Sequence, residues 1–467
     1  MVSSLNRRIQ EWSTRQLVTV AVVLAVVSLS ALAGYRLSPT LQLLLAGLVV
    51  AALGGALALR HLEVALLGLT LAAVTVPLDI GTGTQTAIPF PLLLTPALLG
   101  LWLADMWRRR ALRLLPSSTT WPLLGLVVVA LISWIASLAL WDVWVPIAYN
   151  RHWVQLGQLS IFLLSPALFL MTANGIRQER WLRDLVFAFL ALGLAAVLNA
   201  ILLHDLNLTP AYYFTGTGGF FGPWVVSLAY GQLLFNRRSP SWLKLLCVLA
   251  MAGWMYWAWF HVTNWLSGWV PFVVALAVIT WLRSPRWALA LLAALLLASS
   301  GARDFIRNLI VEPEVRGGSA RRPEIWRGAL EVGLRSPLIG LGPGNYMYYY
   351  RAYAPQQAMV SHNNYIDVFN QFGLIGLGLL LWFLGEVWRL GWRLRSRYPE
   401  DGFAQGYAAA ALGGLAGLAV GMMLGDWFLP YVYNIGLAGF RHSLYSWLFL
   451  GGLVALDHLA RGERRER

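Results

Sequence analysis

The chain is poor in charge and nearly without lysine or cysteine. Only 12% of its 467 residues are charged, against about 25% in an average soluble domain. A soluble protein of this length could not coat its surface with so little. Lys244 is the single lysine and Cys247 the single cysteine. Cys247 lies inside an apolar run, which excludes a disulfide framework and a thiolate metal site. There is no CxxC and no HExxH, so no zinc chemistry and no bound metal is expected.

What is present in excess is apolar. Hydrophobic residues make up 58% of the chain, with 24 tryptophans and a mean hydropathy of +0.62. They come in runs of about 18–22 residues, the length that crosses the hydrocarbon core of a bilayer. The expected fold is all-α, a polytopic transmembrane helix bundle. The net charge of +14 could suggest nucleic acid. Most of the arginines, however, sit in short clusters between apolar runs, as topology signals do. No nucleic-acid partner is expected.

Apolar segments fall at 17–35, 41–59, 62–78, 89–107, 121–140, 154–172, 184–203, 220–236, 242–260, 265–282, 286–301, 366–388, 403–423 and 444–460. That is about 14 spans. The first follows Arg7, Arg8 and Arg15 and is read as an uncleaved helix, being longer than a secretory signal core. With the N-terminus in the cytoplasm, the inner loops and termini hold 24 basic residues and the short outer loops only Arg36, Arg151 and Arg441. This asymmetry places both termini inside. The expected division is a bundle over 1–301, an outward loop domain over 302–365 and a second part of the bundle over 366–467.

That loop breaks the charge pattern. It carries Arg303, Arg307, Arg316, Arg321, Arg322, Arg327, Arg335 and Arg351 against five acids. Long loops escape the positive-inside rule, so topology does not account for these arginines. They require a negative partner or anionic headgroups of membrane lipids. Guanidinium pairs well with phosphate oxygens, which suits a lipid-linked diphosphate. Apolar spacing over 325–334 predicts a helix ended by Ser336-Pro337, and Gly340-Leu-Gly-Pro-Gly-Asn345 a compact turn. His362, just before the next apolar run, stands where an imidazole could accept a proton from a hydroxyl. It could equally cap the helix. Asp79, His204, Asp205, His261, Asp426 and His442 fall near outer helix ends, where snorkelling is the simpler reading. Arg151-His152 is the pair set apart from these. Trp254, Trp257, Trp259, Trp265 and Trp269 are dense enough to form a lipid- or sugar-facing wall.

Four ordered elements lie within a short stretch: Arg322 four residues before Trp326, Pro337-Leu-Ile-Gly340-Leu-Gly-Pro-Gly-Asn345, His362-Asn363, and Gly373-Leu-Ile-Gly376. Together they resemble the signature of the O-antigen ligase/polymerase superfamily. The resemblance implies a fold similar to polytopic C-type glycosyltransferases. It also implies transfer of a glycan from an undecaprenyl-diphosphate-linked donor on the periplasmic face, without a metal or other cofactor. The acceptor is lipid A–core in a ligase and another glycan in a polymerase, and both remain open here. A lipid-linked glycan transporter or flippase is the reading from another class. It should show repeated halves and midplane charges, neither of which is seen.

Carried onto this chain, Arg322 binds the diphosphate and His362 activates the acceptor hydroxyl. Arg321, Asn363, Gly342 and Asn345 flank the site. The family's second arginine stands in a Thr-to-Trp frame that matches Thr263 to Trp269 here, but Leu266 occupies the arginine's place. Arg151, Arg303 and Arg321 are the candidates to replace that charge. Likewise, Gly222-Pro223-Trp224 departs from the family's usual Asn-Pro-Asn.

Overall fold

Within a bilayer, backbone N–H and C=O groups have no water to bond, so apolar runs must close their hydrogen bonds locally, as helices. The computed structural model describes residues 61–82, 86–110, 114–206, 214–262, 266–290, 322–356 and 360–465, all within one unit beginning at His61. In chain order the elements are α1 (Leu62–Thr75), a hairpin of β1 (Asp79–Gly81) and β2 (Ala87–Pro89), α2 (Phe90–Arg108), α3 (Thr120–Ala139), α4 (Arg151–Gly175) and α5 (Glu179–His204). Then come α6 (Phe221–Phe235), α7 (Ser241–His261), α8 (Leu266–Arg283), α9 (Arg322–Gly333), α10 (Tyr346–Tyr353), α11 (Asn364–Arg395), α12 (Phe403–Gly421) and α13 (Phe440–Arg465). The hairpin is antiparallel with Asp79 opposite Pro89.

Eleven of the fourteen expected runs fall on described residues, and each coincides with a helix. Eight of the described helices are long and apolar enough to cross a membrane: α2, α3, α4, α5, α7, α11, α12 and the segment Leu437–Gly462. The count of fourteen is not reached. At 14 and 15 residues, α1 and α6 extend only about 21–23 Å, short of a core of about 30 Å. The runs 17–35 and 41–59, most of 286–301, and Arg303, Arg316 and Arg321 lie outside the described residues.

Burial ranks the helices. In their most apolar windows α12 is 83% buried, the Leu437–Gly462 segment 89% and α4 72%, whereas α2 and α7 are only 22% and 28% buried. Small residues explain the centre. Along α12, a Cβ at Gly413 would lie 2.5 Å from Ile279 and one at Gly417 2.6 Å from the Pro271 carbonyl. Helices without side chains at these points can approach backbone to backbone, which is how packing is gained in lipid. Trp254 belongs to this interior and not to an aromatic wall: it is buried, its indole N–H donates to Gly193 O at 2.8 Å, and it packs edge-on against Phe221.

The two glycine motifs turn out to be one structural unit. Gly373, with φ +65, is a kink that divides α11 into a short first stretch and a longer apolar one, so Gly373-Leu-Ile-Gly376 stands where the second stretch begins. The interrupted backbone groups are taken up by the 337–342 turn. Leu341 N and Gly342 N donate to Asn370 O and Gln371 O at 2.9 and 3.0 Å, and Leu374 N donates to Pro337 O at 2.8 Å. The fit leaves no room for side chains. A Cβ at Gly340 would stand 2.2 Å from the Gln371 backbone, and one at Gly373 2.2 Å from that of Leu338. The helix expected over 325–334 is α9, which begins three residues earlier and ends one residue earlier. The turns that follow carry the chain through Ser336-Pro337 into this junction.

The ends of the bundle are chemically distinct. Asp105, Arg109, Asn174, Arg177 and His458 line one cavity, so the ends of α2, α4 and α13 lie together with their arginine clusters. Arg397 and Arg461 pair with the buried Asp457 at this end as well. At the other end, the 141–150 segment, α9, α10, the start of α11 and the 422–436 segment converge.

Candidate active site

Aromatic packing builds this end. Val145, Ile325, Tyr346, Met347, Tyr350, Ile366 and Tyr431 are buried in one cluster, with Trp141, Trp326, Tyr353 and Tyr433 packed against it. Tyr346 stacks on Tyr431 with ring centroids 4.6 Å apart. The 141–150 and 422–436 segments, α9, α10 and the start of α11 are thereby locked together, which is what a preorganised site needs.

Two bonds fix α9 against this platform. The Trp326 indole N–H donates to Ser361 O at 2.8 Å, and Tyr350 OH donates to Ile325 O at 2.9 Å. Residues four apart share a helix face. Arg322 is thus set one turn before Trp326, on the face turned to the Ser361–His362 backbone, and it is half-buried.

His362 has φ +50, one of three such non-glycine residues among those described. A side chain held in that region signals a constraint imposed from both sides. On one side, Ser361 Oγ donates to Asp367 Oδ1 at 2.7 Å and accepts from Asn363 N at 3.1 Å. On the other, Asn363 caps α11, its Oδ1 accepting from Tyr365 N and Ile366 N at 3.0 and 3.3 Å. The HN pair therefore divides its work. Asn363 spends its carbonyl on the helix, and His362 is the residue turned out.

Behind His362 stand Asn434, which the sequence did not single out, and Asp426, which it placed only among the helix-end residues. Asn434 Nδ2 lies 3.1 Å from His362 Nδ1 and also donates to Asp426 Oδ1. Asp426 is fully buried and accepts from Tyr431 N through Oδ2 at 2.7 Å. Burial pushes its carboxyl above the usual carboxylate range. Asp426 was read with the snorkelling helix-end residues, and that reading is corrected: a residue with no solvent contact is not snorkelling. The other members of that group do behave structurally. Asp79 pairs with Arg441 at 3.0 Å, Asp205 with His261 at 2.8 Å, and His442 accepts from Gly218 N at 3.1 Å.

Three sequence-chosen residues are consumed by the scaffold. Asn345 is fully buried; its Oδ1 accepts from Gln155 and its Nδ2 donates to Leu341 O. Gly342 is buried at φ +91, where a Cβ would meet Ser137 at 2.4 Å. The Arg151 guanidinium donates to Ser137 O at 2.6 Å and lies 3.7 Å over the Trp141 ring. No described contact brings Arg151 to His362. Arg303 and Arg321 lie outside the described residues, as does the side chain of Leu266, so the replacement for the family's second arginine is not among the described contacts.

A helical bundle with apolar spans, carrying at one end a strained histidine that meets Asn434 and, through it, the buried Asp426, has the architecture of a polytopic membrane protein. Residues 224–381 match the family model for O-antigen ligase. That stretch, about a third of the chain, contains Arg322 and His362 and is what the chain shares with the O-antigen ligase family. Asp142, Arg151, Asp426 and Asn434 lie beyond the matched stretch. No curated protein matches the chain.

Proposed function

We propose that this protein is an O-antigen ligase-like glycosyltransferase of the bacterial inner membrane. It would move a glycan from undecaprenyl diphosphate to lipid A–core or to a saccharide, with both termini cytoplasmic and the site on the periplasmic face. The observation that carries this reading is His362, strained and supported by Asn434 and Asp426, beside the helix face that bears Arg322. The acceptor oxygen attacks the anomeric carbon as the imidazole takes its proton. The carbon–oxygen bond to the diphosphate breaks, and the leaving group departs with the electron pair toward Arg322. Attack from the face opposite the leaving group inverts the configuration. Guanidinium, not a divalent cation, meets the diphosphate charge in this scheme.

The Asn434 amide decides which nitrogen of His362 carries the proton. With Asp426 ionised, the amide NH2 faces both partners, so His362 accepts at Nδ1 and keeps its proton on Nε2. With Asp426 protonated, the amide can turn over and accept from Nδ1–H, leaving the Nε2 lone pair to act as base. Burial pushes the Asp426 carboxyl up to about 6, so that state fills as pH falls toward 6. Asp426→Asn preserves a donor toward the turned amide and an acceptor for Tyr431 N–H, so it should keep most of the transfer. Asp426→Ala should lose on the order of tenfold to a hundredfold, the worth of a hydrogen bond of about 1.5–3 kcal/mol. The stability sign is opposite. A raised carboxyl stabilises the fold only while protonated, so stability falls as pH rises from the unfolded value, about 3.9, through the folded one. Asp426→Asn should lessen that decline in thermal melts between about pH 4 and pH 6. Equal loss of transfer in both variants would refute the amide relay.

A polymerase would use the same chemistry with another glycan as acceptor. The envelope glycan of a deletion strain separates the two. Polymer stranded on the carrier lipid indicates a ligase, and loss of polymer altogether a polymerase.

A further inference from the structure

A second cavity lies at the same end of the bundle, away from His362. Its volume is about 400 Å³, and Ser137, Asp142, Arg335, Ser336, Leu341 and Tyr349 are among its lining residues. That is within the range of about 300–1,000 Å³ found for small-ligand sites. We propose that it is a saccharide subsite, one that grips the transferred glycan at a distance from the bond being made. The proposal rests on the transferase reading above and adds where the sugar chain runs.

The lining is preorganised around one guanidinium. Arg335 stacks 3.3 Å over the Tyr353 ring, and its Nη1 is 3.8 Å from Asp142 Oδ2. Tyr353 OH donates to the same carboxylate oxygen, while Trp144 N donates to Oδ1 at 2.9 Å. Asp142 N in turn donates to Tyr349 OH at 3.2 Å. These bonds, that of Tyr353 foremost, hold the Asp142 carboxyl below its usual range, so it is ionised at neutral pH. The Arg335 charge is therefore balanced where it stands, and the Arg335 side chain remains 44% exposed.

A balanced pair selects against a free anion and for a neutral ligand rich in hydroxyls. Guanidinium N–H groups, carboxylate oxygens and serine hydroxyls supply donors and acceptors for such a ligand. Leu140, which is exposed, supplies an apolar surface for the apolar face of a pyranose, and the buried Tyr349 forms the wall behind. Leu341 completes the apolar part of the wall.

Placement sets the role. Arg322 opens α9 and Arg335 follows just after its last residue, Gly333. Twelve residues of helix separate them by on the order of 18 Å. A single sugar on the diphosphate at Arg322 cannot reach the cavity, and a chain of several sugars can. The site would therefore sense glycan length without touching the reacting atoms.

The test uses the full-length protein in detergent with two donors, undecaprenyl diphosphate bearing one sugar and the same lipid bearing a long glycan. Arg335→Ala should raise KM for the long donor about tenfold, the worth of one charge-assisted hydrogen bond. The kcat for both donors and the KM for the short one should not move. Ala136→Phe fills the cavity from α3 without altering its charge and should give the same split, guarding against a misfolded arginine variant. Arg322→Ala should instead weaken both donors alike. Equal change for both donors, or none, would overturn the subsite. So would competition by phosphatidylglycerol in mixed nanodiscs, which would mark the cavity as an anionic-lipid site. A binding measurement stands apart from transfer. Oligosaccharide released from the cell's own envelope by mild acid should bind the wild type and Arg322→Ala equally well by saturation transfer, and Arg335→Ala about tenfold more weakly. If that pattern holds while no donor is ever turned over, the transferase reading falls and the subsite survives.

Discussion

Replacing His362 with Ala is expected to lower glycan transfer on the order of 100-fold to 10,000-fold, the usual contribution of a positioned proton acceptor. Donor binding should stay near the wild-type level, because the imidazole has no part in holding the diphosphate. The fold should also persist. The platform beneath is secured by Trp326 to Ser361 O, by Ser361 to Asp367 and by the Asn363 cap, and none of these uses the imidazole. The backbone even gains from a smaller side chain only if it is glycine, since φ +50 strains alanine as well. His362→Gly is therefore the more stable of the two inactive variants. Residual transfer above about a tenth of the wild-type rate would remove His362 from the role of base.

Arg322→Ala should fail at a different step. Loss of a charge-assisted contact to the diphosphate, about 1.5–3 kcal/mol, corresponds to a donor KM raised on the order of tenfold to a hundredfold. Arg322→Lys should recover little of it, because a compact ammonium cannot reproduce the paired hydrogen bonds of a planar fork. Thermal stability should hardly change in either variant, given that Arg322 opens α9 and the helix is pinned through Trp326 and Ile325. A lysine variant with wild-type KM would show that simple charge suffices and would weaken the diphosphate assignment.

The helices were legible in the sequence because bilayer length and apolar composition constrain them directly, as at 121–140 and 403–423. Local spacing marked out the candidate residues, Arg322 four before Trp326 and His362 at the start of a run. What spacing could not convey was division of labour among neighbours. Asn363, Gly342 and Asn345 are part of the same motifs as His362, yet they cap a helix, admit Ser137 and hold Gln155. Gly373 belongs to one of these motifs, and its role as the break that receives the 337–342 turn depends on two segments about 35 positions apart in sequence meeting edge to edge. Asp426 and Asn434 gave the least warning. They lie 64 and 72 positions beyond His362, in a stretch of aromatics, and only tertiary folding sets them behind the imidazole. Total burial is the property that separates Asp426 from the paired helix-end acids such as Asp79, and burial cannot be read from one residue in a sequence.

The most direct test of the central claim is a reconstituted reaction with purified protein, an undecaprenyl-diphosphate-linked glycan and an acceptor, in excess EDTA. The account predicts one molecule of undecaprenyl diphosphate released for each glycan transferred, a product inverted at the anomeric carbon, and both lost together in His362→Ala. Activity that vanishes with EDTA and returns with magnesium or manganese would contradict the arginine-based site. Donor that crosses the membrane with its glycan still attached, and with no undecaprenyl diphosphate set free, would contradict the enzyme itself.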